Sequence, residues 1–176
     1  NKAIDPLNTN LWRMNRRRLS IEQWRDSILA VSGSLDRTGG KSLELTDKKN
    51  IRRTIYGHIS RKKLNDMLMQ FDYPDPNLHA AKRSATTTAV QKLFVMNNRF
   101  MVEQAKRLAK RVAGDKASAS TLQIQEIYSL LYNREPSAAE LDLALDFLRL
   151  PCESQLTRWE QYSHALLAAN EMSYID

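Results

Sequence analysis

The amino-acid sequence predicts a mainly α fold, a single helical domain of about six to seven helices. Three observations carry that expectation. Polar caps of the form Ser/Thr-x-x-Glu/Gln recur along the chain, at Ser20, Thr88, Ser120, Ser137 and Thr157. Each is the sequence signature of a helix N-terminus. Apolar residues after each cap return at spacings of three and four, the period of one helix face. Only five Gly and five Pro occur in 176 residues, so the strongest local breakers are sparse.

Taken in order, residues 1–19 are irregular, with Pro6 and several Asn. Ser20 caps a helix whose apolar face is Ile21, Trp24, Ile28 and Val31, and Gly33 is placed to end it in a left-handed conformation. Gly39 and Gly40 mark a turn. Residues 42–59 hold the only alternating patterns, at 42–45 and 54–59. They allow at most a small two-stranded β element around residues 42–59, or an extended segment pinned to the helices. Leu64, Met67, Leu68 and Phe71 predict a short helix over 62–71. Pro74 and Pro76 break it, because each biases the preceding residue away from helix. Thr88 opens a helix through residue 95, and Asn97-Asn98 breaks or re-caps the chain. Met101, Val102, Ala105, Leu108, Ala109 and Val112 then form one stripe, flanked by Lys and Arg and ended by Gly114. Ser120, Ser137 and Thr157 open three further helices, the second closed by Pro151.

Charge is unevenly placed. Residues 1–116 carry 24 Lys and Arg against 11 Asp and Glu, or +13, and residues 117–176 carry 3 against 9, or −6, which together make the net +7. Within one domain spanning 1–176, the split suggests either a bipolar surface or a basic part and an acidic helical part that attract each other. An anionic ligand would belong to the first part. No run of about 18 apolar residues exists to form a transmembrane segment. The chain starts at Asn1 without an initiator Met, which suggests a fragment of a larger protein. The single Cys152 excludes an internal disulfide, a Cys-based zinc site and a C-x-x-C-H haem attachment. It reads as a small, partly buried residue after a helix end.

The strings LWRMNRRRLSIEQWRDSILAVSGSLD, RRTIYGHISRK, FDYPDPN, TTTAVQKLFVMNNRFMVEQAKRLAKR, LLYNREPSAAELDLALDFL and HALLAANEMSYID resemble the planctomycete-specific C-terminal domain, a family of unknown function. The resemblance covers nearly the whole chain in order. It implies the terminal part of a large exported planctomycete protein with a cytochrome c-like module near its N-terminus. Localisation in the periplasm or cell envelope follows from those companion modules. Haem would then sit in another domain, with no cofactor in this chain. The motif positions are Arg16, Arg17, Arg18, Asp26, Arg53, Asp72, Asp75, Asn97, Asn170 and Glu171. The resemblance assigns none of them a catalytic role.

Arg16, Arg17 and Arg18, with Arg13, form the densest cationic cluster. Guanidinium forks suit phosphate, sulfate and carboxylate. Three consecutive residues cannot share one helix face, so pairing of some with Asp26, Asp72 or Asp75 is the competing structural reading. His58, His79 and His164 have no helical metal spacing. Ser60, Ser84 and Ser163 lack a nucleophile-elbow pattern. Asp72 and Asp75 around Tyr73-Pro74 could supply acid and base or bind Ca²⁺, but Asp beside Pro is common turn chemistry. Trp24 and Trp159 lie on apolar helix faces, which favours core packing over a sugar platform. A pI near 9.6 raises nucleic-acid binding. The helices expected at 137–150 and 157–170 are acidic and of the wrong sign for phosphate, so nucleic acid is disfavoured.

The expected function is therefore that of a non-catalytic interaction or scaffold domain. Its partners would be upstream domains of the parent protein, an envelope partner or an acidic polymer. Two alternatives stand beside it. One is a composite active site for haem-linked redox or polysaccharide breakdown, with Asp72, Asp75, Arg16, Arg17, Arg18 and Asn97 converging in one cleft. The other is anionic-polymer or nucleic-acid binding through the basic half.

Overall fold

Capping decides where this chain turns into helix. The computed structural model describes residues 3–47, 49–114 and 120–175. Among these the elements are β1 (Arg17–Arg18), α1 (Ile21–Val31), α2 (Asp66–Gln70), α3 (Ala89–Asn97), α4 (Arg99–Ala113), α5 (Thr121–Tyr132), α6 (Ala138–Arg149), α7 (Arg158–Leu167) and β2 (Tyr174–Ile175), with 3-10 turns at Thr54–Tyr56 and Asn170–Ser173. The protein is mainly α, as the caps and stripes predict. All five Ser/Thr boxes close reciprocally, at Ser20, Thr88, Ser120, Ser137 and Thr157. Such a cap is worth about 1 kcal/mol.

Helix boundaries follow local hydrogen bonds. Gly33 has φ +72° and ends α1 in the left-handed region that only glycine enters freely. Asn98 ends α3 and begins α4: its N–H donates to the Phe94 carbonyl at 2.8 Å, and its Oδ1 accepts from Phe100 N–H at 2.8 Å. The helix expected over 62–71 shortens to Asp66–Gln70. Ser60 Oγ accepts from the N–H groups of Lys62 and Lys63, each at 3.3 Å, and Asn65 caps the helix proper. These side chains bind the backbone groups that a longer helix would use.

The two-stranded sheet lies elsewhere than the sequence pattern suggests. It is antiparallel and pairs Arg17 with Ile175 and Arg18 with Tyr174. Residues 42–59 contribute only to isolated parallel bridges, Leu43 with Gly57 and Asp36 with Arg52. The reason is that buried side chains claim the backbone there. Asn50 Nδ2 donates to the carbonyls of Leu43 and Glu44, each at 3.1 Å, and Arg25 donates to those of Asn50 and Arg52. The segment is the pinned, extended alternative rather than a hairpin.

Helix α4 runs through the centre and packs on α1, α3, α5 and α7, while α6 covers α5 and α7. Ile28, Leu68, Met101, Ala105, Leu108, Ile124 and Ile127 have no exposed surface. A fully buried side chain of the Leu, Ile or Met kind stabilises by about 1.5–3 kcal/mol. Trp24 and Trp159 are core residues too, and Trp24 stacks on Phe71 at 5.0 Å. The ion pairs between described residues stay within each part. The parts meet through apolar packing of α4 on α7 and through β1 on β2. The boundary between them, at 116–117, lies outside the described residues. Cys152 is exposed rather than partly buried.

Candidate functional site

The tripeptide Arg16, Arg17, Arg18 splits into three environments, Arg17 and Arg18 being successive residues of β1 and so directed to opposite faces. Arg18 turns inward. Its Nη2 donates to Gln91 Oε1 at 2.8 Å, and its Nη1 lies 3.8 Å from Asp72 Oδ2. That Nη1 is enclosed and makes no hydrogen bond among the described residues. Asp72 sits at φ +59°, and its two oxygens accept from Thr86 N–H and Thr86 Oγ1, both at 2.8 Å. Gln91 belongs to the α3 capping box and also donates to the Gln70 carbonyl at 2.8 Å. Arg16 lies over the Tyr174 ring at 5.0 Å. Arg17 is exposed.

A second hub holds residues 50–54 onto α1. Arg25 is 1% exposed. Its guanidinium donates to the carbonyls of Arg52 (3.0 Å) and Asn50, and to Thr54 Oγ1 at 3.2 Å, and it lies over the Phe100 ring. Burial pulls its pKa below the usual arginine value, against the opposing charge of Asp26. Asp26 accepts from Thr54 N–H at 2.7 Å and Thr54 Oγ1 at 2.6 Å, and pairs with Arg53 at 3.6 Å.

A third hub closes the C-terminal end. Arg134 follows Asn133, which ends α5 at φ 53°. It donates to Glu171 at 2.7 and 2.9 Å, to Glu140 at 2.8 and 2.9 Å, and to the Glu135 carbonyl at 3.1 Å. It also lies over Tyr128 and Tyr132. Bonds from Arg134, then from the Ser137 backbone, hold the Glu140 carboxyl down to about 2. The carboxylates in turn push the Arg134 pKa up. Burial raises the Tyr132 hydroxyl, which donates to the Leu166 carbonyl at 2.8 Å.

The remaining motif positions lie apart. Asp75 is exposed and accepts from Asn77 N–H at 2.8 Å and Asn77 Nδ2 at 3.1 Å, which is turn chemistry. Asn97 donates to the Leu93 carbonyl at 3.0 Å on the exposed end of α3. Asn170 is exposed at the start of the last 3-10 turn. So the structure gathers Arg17, Arg18 and Asp72 at one cleft of about 290 Å³, between the start of α1 and residues 82–85. Arg16 and Glu171 line a second hollow with Tyr132 and Tyr174. Asp26, Arg53, Asp75 and Asn97 line neither.

Three participants lay outside the motif reading. Arg25 and Gln91 sit on α1 and α3 beside residues that were singled out, and Arg134 follows a left-handed Asn. The Thr88-x-x-Gln91 box did mark Gln91, but as a cap alone. No pattern in one sequence signals that an Arg inside an apolar face will be buried against carbonyls.

Residues 5–15 form a self-bonded loop. Asp5 accepts from the N–H groups of Thr9 (2.9 Å) and Asn10 (2.8 Å). These bonds hold its carboxyl below the usual range, Asn10 contributing most. Asn8 is buried and bonds Arg13 N–H, the Arg13 carbonyl and Asn15. Ile4, Leu7, Leu11 and Met14 face outward. Leu11 is held at φ 52°, a left-handed conformation costing a branched residue about 1–2 kcal/mol.

The chain holds no C-x-x-C-H haem attachment. Cys152 is the only cysteine, His58 pairs with Glu44 at 2.7 Å, and His164 Nε2 lies 3.1 Å from the Val95 carbonyl. Among the described residues no three His, Cys, Asp or Glu side chains are grouped to hold a metal ion. No described helix is long and apolar enough to cross a membrane.

No curated protein and no solved structure matches the chain. The family described as "Protein of unknown function (DUF1553)", PSD1, matches residues 1–148, and the chain belongs to it.

Proposed function

We propose that this member of the DUF1553 family is a non-catalytic interaction domain of a larger exported protein, docking on a neighbouring domain of the same polypeptide in the cell envelope. The observation that supports this reading most is the loop at residues 5–15. Its polar groups are spent on itself, while Ile4, Leu7 and Leu11 are more than two-thirds exposed. Ordered apolar side chains turned to solvent favour a partner. Leu11 keeps a costly backbone conformation only because Asn8 and the loop bonds enforce it.

The motif carboxylates favour the same reading. Asp26 Oδ1 accepts from Thr54 and its Oδ2 faces Arg53, while both Asp72 oxygens accept from Thr86, which favours a role within the fold for each. The motif arginines and acids act as ties within the fold. Haem chemistry of the parent protein is assigned to a separate module.

The test is binding in trans. The isolated chain is mixed with the rest of its parent protein, and the dissociation constant is measured for the natural chain and for Leu7→Ser with Leu11→Ser. Removing two exposed apolar side chains that the partner would cover is expected to weaken binding by about tenfold or more. Equal affinity of the two, with unchanged helical content, contradicts the reading.

A further inference from the structure

The cleft at the start of α1 has a charge pattern that the fold does not use. Its wall carries four cations, Arg17, Arg18, Lys82 and Arg83. Two carboxylates stand nearby, and both are occupied. Glu22 is gripped by Arg83 at 2.7 and 2.8 Å, and Asp72 by Thr86. Burial opposes ionisation of Glu22, yet its own backbone N–H, Arg83 and Ser20 outweigh that and hold its carboxyl low. Two positive charges are therefore left over at the cleft. The side chains of Arg17 and Lys82 make no hydrogen bond or ion pair among the described residues. Arg18 Nη1 is enclosed with no hydrogen-bond acceptor, Asp72 Oδ2 being too far at 3.8 Å. Enclosed guanidinium nitrogens without an acceptor are rare, and each calls for a partner.

The remainder of the cleft is apolar. Leu19, Ile21, Trp24, Phe71 and Ala85 form its floor and sides. The segment over it does not drift: Arg83 is bound to Glu22 and lies over Tyr73 at 5.0 Å, and Thr86 is bound to Asp72. The α1 N-terminus adds its positive end. A cationic rim over an apolar floor matches one ligand chemistry, a charged oxygen head on an apolar body.

We propose that this cleft binds a small amphipathic oxyanion, a phosphoryl or carboxylate group carried on an aromatic or aliphatic body. The head meets Arg17 and Lys82 in the field of Arg18, and the body lies on the Leu19, Trp24 and Phe71 floor. This site is separate from the docking loop, and its fate does not decide that of the proposed interaction.

The experiment is calorimetric titration of the whole chain at low ionic strength with phenyl phosphate, benzoate and inorganic phosphate. A single saturable site is expected for phenyl phosphate or benzoate, with a dissociation constant at or below about 1 mM. The tighter of the two identifies the head group. Inorganic phosphate, lacking a body, binds about fivefold or more weakly. Arg17→Gln with Lys82→Gln removes two exposed cations that hold nothing in the fold. It is expected to weaken binding by about tenfold or more. Arg61→Gln with Lys62→Gln removes the same charge elsewhere and is expected to leave binding unchanged. Absence of saturable binding overturns the site. Equal loss in the two double variants overturns it as well, since that is diffuse attraction. Equal affinity for phosphate and phenyl phosphate overturns the amphipathic assignment.

Discussion

Arg25 shows how much one buried side chain can organise. Its guanidinium replaces a missing strand partner for residues 50–54 by donating to two carbonyls and a hydroxyl. A lysine keeps the charge but presents one nitrogen instead of a fork. Arg25→Lys is expected to lower unfolding free energy by about 2 kcal/mol, because buried acceptors are left unmet. Denaturant titration measures this, and an unchanged midpoint contradicts the role given to Arg25. Asp26 acts from the same turn of α1 on Thr54. Of this hub, Asp26 and Arg53 were visible as motif positions, but their partners were not. The tie is formed with backbone carbonyls and a Thr hydroxyl, and such atoms leave no mark in residue pattern. Arg18 and Asp72 did pair, as the competing structural reading of the Arg cluster anticipated.

At the scale of elements, caps were legible because they are local. Ser20, Thr88, Ser120, Ser137 and Thr157 each bond a residue three positions on, so a single stretch of sequence contains the whole interaction. The sheet was not legible because Arg17–Arg18 and Tyr174–Ile175 come from opposite ends of the chain. The turn between α5 and α6 joins both kinds of contact. Glu140 closes the Ser137 box and also holds Arg134. It ionises at about 2, against an ordinary 4.5. The folded chain therefore binds fewer protons than the unfolded one within that window. Its stabilisation is complete above 4.5 and is lost as pH falls toward 2. Its side chain is a third exposed, so the effect is modest. Glu140→Gln keeps the box but removes the charge. It is expected to flatten the fall of Tm across this window, and a fall as steep as in the natural chain contradicts the pairing. Gly57 serves a different element contact. A Cβ there would meet Leu45 Cδ2 at 2.5 Å and Cγ at 2.8 Å. Gly57→Ala is expected to cost about 1–3 kcal/mol by overpacking, measured by denaturant titration, and no loss contradicts the close approach.

At the scale of the whole molecule, charged motif residues lock loops while apolar stripes build the core. Helix α4 was readable from its stripe, and burial at Met101, Ala105 and Leu108 agrees, but its central place in the fold was not. The docking loop was not readable, because residues 5–15 carry apolar side chains with no period, and only three-dimensional bonding turns them outward. Among the described residues the basic and acidic parts meet through apolar packing of α4 on α7 and through β1 on β2. The proposed partner would meet surfaces that the fold does not consume. Amide hydrogen exchange at residues 3–15, compared between the isolated chain and the intact parent protein, tests this account most directly. The account predicts slower exchange of that loop in the parent, with the α4 core unchanged. Equal exchange in both contexts would contradict it.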